Sequence, residues 1–293
     1  MRAAIALIFW LCGLWPAGVA RRLGVALGWG LGRLLRFRRR DVEQHVALAF
    51  PDHSPGERRQ LVHAIYRHFG LLAVEMLRMP RLPPDRLLSL LVFHGWEHAE
   101  QALARGRGLL VLAGHTGNWE MGLAGCALRA GGTKAVVKEI KGKAGQYAID
   151  RIRGRHGVKT IPRRGGIREI LSSLRANQPV GFVLDQNMTV EDGVFVEFFG
   201  HPACTMSGLA VLARRRETPV IPVAFYRDDD GRRHHVELLP EIAWEPSGGS
   251  AEDDLRHNTQ RYTRILEAII RRHPEQWIWM HRRWRTKPPA PPP

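Results

Sequence analysis

A histidine and a glutamate five residues apart, His115 and Glu120, are the pair in this chain whose types and spacing suit catalysis. A neutral imidazole can take a proton from a hydroxyl if another group holds its second ring nitrogen as a hydrogen-bond donor. The spacing allows the Glu120 carboxylate to be that group. Such a pair suits transfer of an acyl group to an alcohol without a covalent enzyme intermediate. The alternative is a histidine that caps a turn beside a solvated acid, since both are common at helix starts.

The pair lies where a strand is predicted to end and a helix to begin. The apolar run 109–113 has the length of a buried strand, and it ends at Gly114 in a polar turn. Small and apolar residues at 122–128 predict a helix that is buried on more than one side. Open α/β sheets bind ligands beyond the carboxyl ends of their strands, so a site is expected here. The first N–H groups of the helix would face developing negative charge.

The string HTGNWE, from His115 to Glu120, resembles the signature of the bacterial lipid A biosynthesis acyltransferases. These are the lauroyl and myristoyl transferases of lipopolysaccharide assembly, within the wider glycerolipid acyltransferase superfamily. The superfamily usually has aspartate at the acidic position, whereas the lipid A branch, like this chain, has glutamate. Further blocks agree with the family in order and spacing, so the resemblance covers nearly the whole chain: RRRDVEQHVALAFPD at 38–52, RIRGRHGVKTIPR at 151–163, LDQN at 184–187, FFGHPACT at 198–205 and PEQWIWMHRRWRTKP at 274–288.

The resemblance implies transfer of a fatty acyl chain from acyl carrier protein to a hydroxyl of a lipid A precursor. His115 would deprotonate the hydroxyl, and Glu120 would orient and charge-stabilise the imidazole. Arg153, in the RGRHG string, resembles a family arginine that assists the active site, either by binding an acceptor phosphate or by stabilising the thioester oxyanion. No metal or organic cofactor is required. A lysophospholipid or another glycolipid is the alternative acceptor, and a basic protein that binds membranes or nucleic acid without catalysis is the non-enzymatic alternative.

Three more residues are predicted to bind substrate. Asn118 belongs to the HTGNWE turn, while Asp185 and Gln186 end the predicted strand 180–184. The resemblance puts the LDQN block beside the active site, where it would position polar groups of the substrate. The alternative for Asp185 is that it caps the following turn. Family members commonly have a further acid after the glutamine, and here that position is Asn187.

Composition limits the class of partner. With 293 residues and 44% hydrophobic content, the chain can bury a large core. The formal net charge of +16 indicates an acidic partner, for which nucleic acid, anionic lipid and an acidic protein all qualify. The resemblance selects acyl carrier protein and an anionic membrane, and no nucleic acid. Three widely separated cysteines predict neither a disulfide framework nor a zinc site.

Two basic segments flank the predicted site. Lysines and arginines at 134–155 form a positive segment, and most of these residues, with the exception of Arg153, are interpreted as a solvated helix face. Near the carboxyl end, Trp277, Trp279 and Trp284 alternate with arginines, a pattern that fits either a nucleic-acid stacking surface or a membrane-interface belt. Because this block matches the family, we interpret it as a packed aromatic edge with its basic side near the membrane or sugar-phosphate groups.

The first 36 residues are predicted to form an uncleaved membrane anchor. Residues 3–20 are uncharged, and a second apolar stretch, 23–35, ends in arginines. About 20 apolar residues are needed to cross a bilayer as a helix, so the first run is borderline. Basic residues beside membrane-seeking segments favour the cytoplasmic side. A cleaved signal peptide is the alternative, because residues 18–20 resemble a cleavage site. The resemblance implies the bacterial inner membrane, with the active site facing the cytoplasm.

The remaining chain predicts an α/β acyltransferase domain at 37–288, with a helical lead-in at 37–84 and a disordered proline-rich tail at 289–293. His68 and Glu75 in the lead-in are interpreted as exposed or packed helix residues rather than ligands. Beyond the lead-in, strands and helices alternate, which predicts a mixed, mostly parallel sheet flanked by helices. The predicted strands are 109–113, 133–137, 158–161, 180–184, 220–226 and a late antiparallel strand at 234–242; the predicted helices are 41–50, 56–79, 143–155, 167–176, 206–216 and 253–272.

Overall fold

The protein is built on a seven-stranded sheet in a computed structural model that describes residues 1–138, 140 and 142–289. Position 141 of the basic segment and positions 290–293 of the predicted tail lie outside the described residues. The described strands are β1 (Leu91–His94), β2 (Leu109–Ala113), β3 (Thr133–Val137), β4 (Val158–Pro162), β5 (Pro179–Val183), β6 (Val194–Phe198), β7 (His201–Thr205), β8 (Val220–Arg227) and β9 (His234–Leu238).

The main sheet has the order β1-β9-β8-β2-β5-β3-β4. The five strands from β8 to β4 are parallel to one another. Strand β9 is antiparallel to β8, and β1 is parallel to β9. The predictions of a mixed, mostly parallel sheet and of an antiparallel late strand are therefore confirmed.

Helices cover both faces of this sheet. Within the described residues they are α1 (Arg2–Leu14), α2 (Ala17–Trp29), α3 (Arg39–Ala49), α4 (Pro55–Arg78), α5 (Pro84–Leu88), α6 (Trp96–Leu103), α7 (Trp119–Ala130), α8 (Lys143–Gly154), α9 (Ile167–Arg175), α10 (Gly208–Arg216) and α11 (Ala251–Arg272). Successive side chains of a strand point to opposite faces, and β2 supplies both cores in this way. Leu110 and Leu112 pack in one core with α9, α10 and α11, whereas Leu109 and Ala113 pack in the other with α7 and α8.

Two features have no counterpart among the predicted strands. Strand β1 contains only four residues, too few for a clear alternating pattern. The hairpin β6–β7 turns at Phe199 and Gly200, which both have positive φ, 52° and 73°. A two-residue turn of this kind is normally signalled by Asn-Gly or Asp-Gly, and Phe-Gly lacks that signal.

The two amino-terminal helices pack on the lead-in helix α4. A Cβ built on Gly28 would lie 2.2 Å from the Tyr66 carbonyl oxygen, and one on Gly70 would lie 2.2 Å from the Gly24 carbonyl oxygen, so only glycine allows this approach. Phe9 of α1 is buried in the same core as α7. Among the described residues no single helix is long and apolar enough to cross a bilayer, while Arg2–Leu14 and Ala17–Leu34, bent by 118°, pass that test as a pair.

Candidate active site

The catalytic turn, residues 114–120, joins β2 to α7. Strands β2 and β5 are parallel neighbours, and Ala113 lies opposite Val183. Continuing each chain by two residues brings His115 beside Asp185 at the carboxyl edge of the sheet. The register of the sheet therefore places the imidazole next to a carboxylate that is distant in sequence.

Asp185 holds His115 through both of its oxygens. The Nδ1 atom of His115 lies 2.8 Å from Asp185 Oδ1, and the His115 backbone N–H donates to Oδ2 at 2.6 Å. Trp277 Nε1 also donates to Oδ2, at 2.8 Å. A carboxylate only accepts, so Nδ1 is the donor and Nε2 is the basic ring atom. That Nε2 lies 3.3 Å from Gln186 Nε2.

Electrostatics favour a protonated imidazole more than in a free histidine. Burial lowers the pKa of His115, but Asp185, followed by Glu120, raises it by more, so the pKa lies above its ordinary value. Burial raises the pKa of the Asp185 carboxyl, yet the His115 ring and the Trp277 hydrogen bond hold it well below its usual range. Asp185 is therefore ionised and stabilises positive charge on the ring.

The predicted contact between Glu120 and the imidazole is replaced by a different pairing. Glu120 is buried, and its oxygens accept Arg153 Nε at 2.8 Å and Arg153 Nη2 at 2.6 Å. Trp119 Nε1 lies 3.2 Å from the same carboxylate. The prediction that Glu120 contacts and orients the imidazole is thus corrected, because Asp185 makes that contact. Glu120 instead binds Arg153, which lies on α8. The charge of Glu120 still raises the pKa of His115.

The residues predicted to bind substrate divide into two groups. Gln186 lines an apolar cavity that opens at the catalytic turn. Asn118 is 1% exposed and caps α7, since its Oδ1 accepts the Met121 N–H at 3.0 Å while its Nδ2 donates to Glu75 at 2.9 Å. Asp185 is equally buried, and its oxygens are occupied by protein donors. Asn118 and Asp185 therefore bind the protein's own groups in this structure.

The carboxyl-terminal segment 274–286 holds the loop that follows β5. Besides the Trp277 contact, Arg283 Nη1 donates to the Gln186 carbonyl at 3.3 Å, and His281 Nε2 accepts the Asn187 N–H at 2.8 Å. Arg283 is fully buried, and burial lowers its pKa to about 10. The tryptophans are packed as predicted, whereas the predicted outward-facing basic side is wrong for Arg283. The repeated tryptophan spacing signals packing but does not identify which loop the segment contacts.

An apolar cavity of about 370 Å³ opens at the catalytic turn. His115, Glu120, Arg153 and Gln186 line one end. From there it runs beneath α7 along one face of the sheet, past the alternate residues of three strands: Leu109, Val111 and Ala113 of β2, Thr133, Ala135 and Val137 of β3, and Pro179, Gly181 and Val183 of β5. Within residues 1–138, 140 and 142–289, no group of three His, Cys, Asp or Glu side chains is arranged to hold a metal ion.

Known proteins are similar to this chain over nearly its whole length, including the elements that form the site. The sequence model of a family described as bacterial lipid A biosynthesis acyltransferase matches residues 2–286. The lipid A biosynthesis lauroyltransferase of Escherichia coli (strain K12) is 26% identical over 96% of this chain and 90% of its own length. The lipid A biosynthesis myristoyltransferase of the same organism is 23% identical over 95% of this chain and 88% of its own.

A third relative is named for a different lipid. The phosphatidylinositol mannoside acyltransferase of Mycobacterium tuberculosis (strain ATCC 25618 / H37Rv) is 27% identical over 76% of this chain and 70% of its own length. The family match itself spans the catalytic turn, the Asp185 loop and the segment that holds that loop. The chain therefore belongs to the bacterial lipid A biosynthesis acyltransferase family, and it is an acyltransferase.

Proposed function

We propose that the protein transfers a fatty acyl chain from acyl carrier protein to a hydroxyl of a lipid A precursor, with His115 as general base. The observation that carries this proposal is the His115–Asp185 pair at the mouth of the apolar cavity. A pocket of a few hundred Å³ with apolar walls and a few convergent polar groups is the usual form of a small-molecule site. Here the walls suit a hydrocarbon chain, and the polar end suits its reacting carbonyl.

The chemistry follows from the free nitrogen of the ring. His115 Nε2 takes the proton of the acceptor hydroxyl as its oxygen attacks the thioester carbonyl. Asp185 stabilises the resulting imidazolium and keeps Nδ1 as the donor. The tetrahedral intermediate then collapses, the C–S bond breaks, and the departing thiolate takes the proton back from Nε2. Atoms and charge balance without a covalent enzyme intermediate.

The Glu120–Arg153 pair has a supporting role at the same mouth. Both residues line the cavity, and the bidentate contact fixes the guanidinium there. A fixed cation beside the reacting carbonyl stabilises the oxyanion of the intermediate, together with the first N–H groups of α7. Arg153 can also bind an acceptor phosphate, since guanidinium matches phosphate geometry.

Membrane attachment through the amino-terminal helices is part of the proposal. Most large exposed apolar side chains of the described residues lie in the first 37, and contiguous exposed patches of this kind mark interaction surfaces. They are Met1, Leu7, Ile8, Trp10, Leu11, Leu14, Val19, Leu23, Leu27, Trp29, Leu34, Leu35 and Phe37. Exposed Arg22, Arg33 and Arg36 lie among them and suit anionic headgroups. We place this surface on the cytoplasmic face of the bacterial inner membrane, where the net charge of +16 also attracts an acidic carrier protein.

A glycolipid other than a lipid A precursor is the second candidate acceptor. The mycobacterial relative named for a phosphatidylinositol mannoside supports this alternative, because it matches three quarters of the chain. A lysophospholipid acceptor has less support, since Glu120 and the carboxyl-terminal block resemble the lipid A branch.

The test is acyl transfer by purified membranes followed by mass spectrometry of the lipid. Acyl carrier proteins charged with several chain lengths are supplied with a Kdo-bearing tetra-acyl lipid A precursor, a lysophospholipid or a phosphatidylinositol mannoside. We expect the mass of one acyl chain to be added to the lipid A precursor, and no addition with His115→Ala. Transfer to one of the other lipids alone would replace the proposed acceptor, and transfer by His115→Ala would refute the general-base role.

A further inference from the structure

A buried ion pair between Glu75 and Arg227 contacts the catalytic turn and has no part in the proposed proton transfer. Glu75, on α4, accepts Arg227 Nε at 3.1 Å through Oε1 and Arg227 Nη2 at 2.6 Å through Oε2. Its Oε2 also accepts the Asn118 side-chain N–H at 2.9 Å. Arg227 comes from the end of β8, so three separate elements meet at one carboxylate.

The rest of the protein fixes this ion pair in place. Arg227 Nη1 donates to His68 Nδ1 at 2.8 Å, and burial lowers the pKa of His68 well below its ordinary value, so the ring is a neutral acceptor. The Arg227 backbone forms two hydrogen bonds with the Gln276 side chain, at 2.7 and 2.9 Å. The Gln276 backbone carbonyl in turn accepts the Gly117 N–H at 2.9 Å. Hydrogen bonds from this group of residues therefore hold the catalytic turn at both Gly117 and Asn118.

The direction of the hydrogen bond between Asn118 and Glu75 determines how the Asn118 amide is oriented. An ionised carboxylate only accepts hydrogen bonds, so Glu75 requires the amide nitrogen of Asn118 to face it. The amide oxygen must then face the opposite way, toward the Met121 N–H that it caps. Glu75 thus selects one of two amide orientations, and that orientation caps the helix whose first residues follow His115.

We infer that Glu75 is a positioning residue of the catalytic turn, acting through Asn118 to hold His115 and the first N–H groups of α7 in their reactive arrangement. This inference rests on the proposed general-base role of His115. Glu75 itself lies behind the turn and touches neither the imidazole nor Arg153 among its hydrogen bonds in the described residues.

Exchanging the donor and the acceptor of the Asn118–Glu75 hydrogen bond tests whether Glu75 positions the turn or only stabilises the fold. Glu75→Gln removes the buried charge, and Asn118→Asp keeps a good helix cap but sets two carboxylates against each other. In the double variant Glu75→Gln/Asn118→Asp, the glutamine Nε2 donates to the aspartate, the glutamine Oε1 still accepts Arg227 Nε, and the summed charge of the two residues is unchanged, although Arg227 Nη2 loses its acceptor at position 75. Glu237→Gln is the control for loss of an arginine-paired carboxylate, because Glu237 pairs with Arg272 through both oxygens in a more exposed position outside the turn and the cavity.

We expect each single variant to lower kcat about tenfold or more, the effect of one misplaced charge-assisted hydrogen bond, with KM much less affected. The double variant recovers part of that loss, because it restores the contact with position 118 but not the Arg227 Nη2 hydrogen bond, and Glu237→Gln leaves kcat unchanged. Hydrogen exchange of backbone amides 116–122, measured on the membrane-bound full chain without substrate, rises in the single variants and falls again in the double variant.

Two outcomes would overturn the inference. One is unchanged kcat and unchanged exchange at 116–122 in Glu75→Gln. The other is a loss in the single variants that the double variant does not recover, since that pattern means the ion pair only stabilises the fold. If wild type acylates none of the tested lipids, the proposed function fails, while the exchange measurement still decides the role of Glu75.

Discussion

Asp185 acts on the proposed reaction only through His115, because both of its carboxylate oxygens already accept hydrogen bonds from the protein. The same carboxylate binds the ring and the backbone of His115, which fixes both the position and the tautomer of the base. Glu120 is used differently, as the partner of Arg153 at the cavity mouth. Two carboxylates near one histidine thus have separate tasks.

The Glu120–Arg153 pair predicts that activity depends on where the cation of residue 153 is held, and not on its charge alone. Arg153→Lys keeps the positive charge but cannot form both hydrogen bonds to Glu120, so the cation moves from the reacting carbonyl. We expect kcat/KM to fall about tenfold or more, equivalent to one lost charge-assisted hydrogen bond. The measurement is steady-state acyl transfer by the membrane-bound enzyme.

Arg272→Lys is the control for that substitution. It disrupts another bidentate arginine–glutamate pair, with Glu237, which is more exposed and does not line the cavity. Equal losses in the two variants would show that Arg153 has no role of its own at the site.

At the scale of elements, one face of the sheet forms the floor of the cavity. Gly181 sits at the centre of β5, and a Cβ built there would lie 3.6 Å from the Lys134 carbonyl oxygen, an ordinary contact. Glycine is therefore not sterically required at position 181. A small residue there leaves space in the cavity under α7. If the acyl chain occupies this cavity as proposed, side chains on this floor limit the length of hydrocarbon that it accepts.

Filling the floor should shorten the accepted chain. In Gly181→Leu, the new side chain enters the cavity, because Gly181 lines it. We expect the preferred donor to shift to shorter acyl chains, with little loss on the shortest ones, since a larger residue in a strand does not weaken the strand. Competition between carrier proteins charged with different chain lengths, read by product mass, measures the shift.

Gly181→Ala provides the graded control, with a smaller shift in the same direction. An unchanged chain-length preference in Gly181→Leu would mean that the acyl chain lies elsewhere.

The sequence predicts elements better than it predicts contacts. Strand β2 and helix α7 are evident because a short apolar run meets a helical pattern at the HTGNWE turn, and the family resemblance identifies His115 itself. The partner of His115 depends on which strand lies beside β2, and spacing along the chain favours Glu120 over the distant Asp185. The inward orientation of Arg283 is hidden for a similar reason, because an arginine-rich segment normally indicates a solvated face.

At the scale of the whole molecule, most of the large exposed apolar side chains of the described residues lie on α1, α2 and the segment up to Phe37. The same helices contribute Phe9 to the core of the acyltransferase domain and approach α4 through glycines. The proposed membrane surface is therefore carried by helices that pack on the rest of the protein.

Membrane binding should depend on this surface in particular. Leu7 and Leu14 are 55% and 53% exposed on α1. Replacing both with serine should weaken binding to anionic vesicles about tenfold or more, because apolar area is lost from the contact, while the thermal unfolding temperature changes little. Vesicle co-sedimentation of the purified protein measures the affinity.

Ile167→Ser/Val211→Ser is the matched control, since these side chains are 48% and 41% exposed on other helices. Equal binding by the two double variants would contradict the assignment of the membrane surface to the amino-terminal helices.

The most direct test of the account is the pH dependence of kcat/KM in wild type and in Asp185→Asn. The base works only when it is neutral, so the wild-type rate should rise with pH through an ionisation above the ordinary histidine value of about 6.5, because the pKa of His115 is raised. Removing the Asp185 charge should move that ionisation to lower pH and reduce the maximal rate on the order of 10³-fold. An ionisation that stays in place in Asp185→Asn, or a rate that does not fall at low pH, would contradict a His115 base held by Asp185.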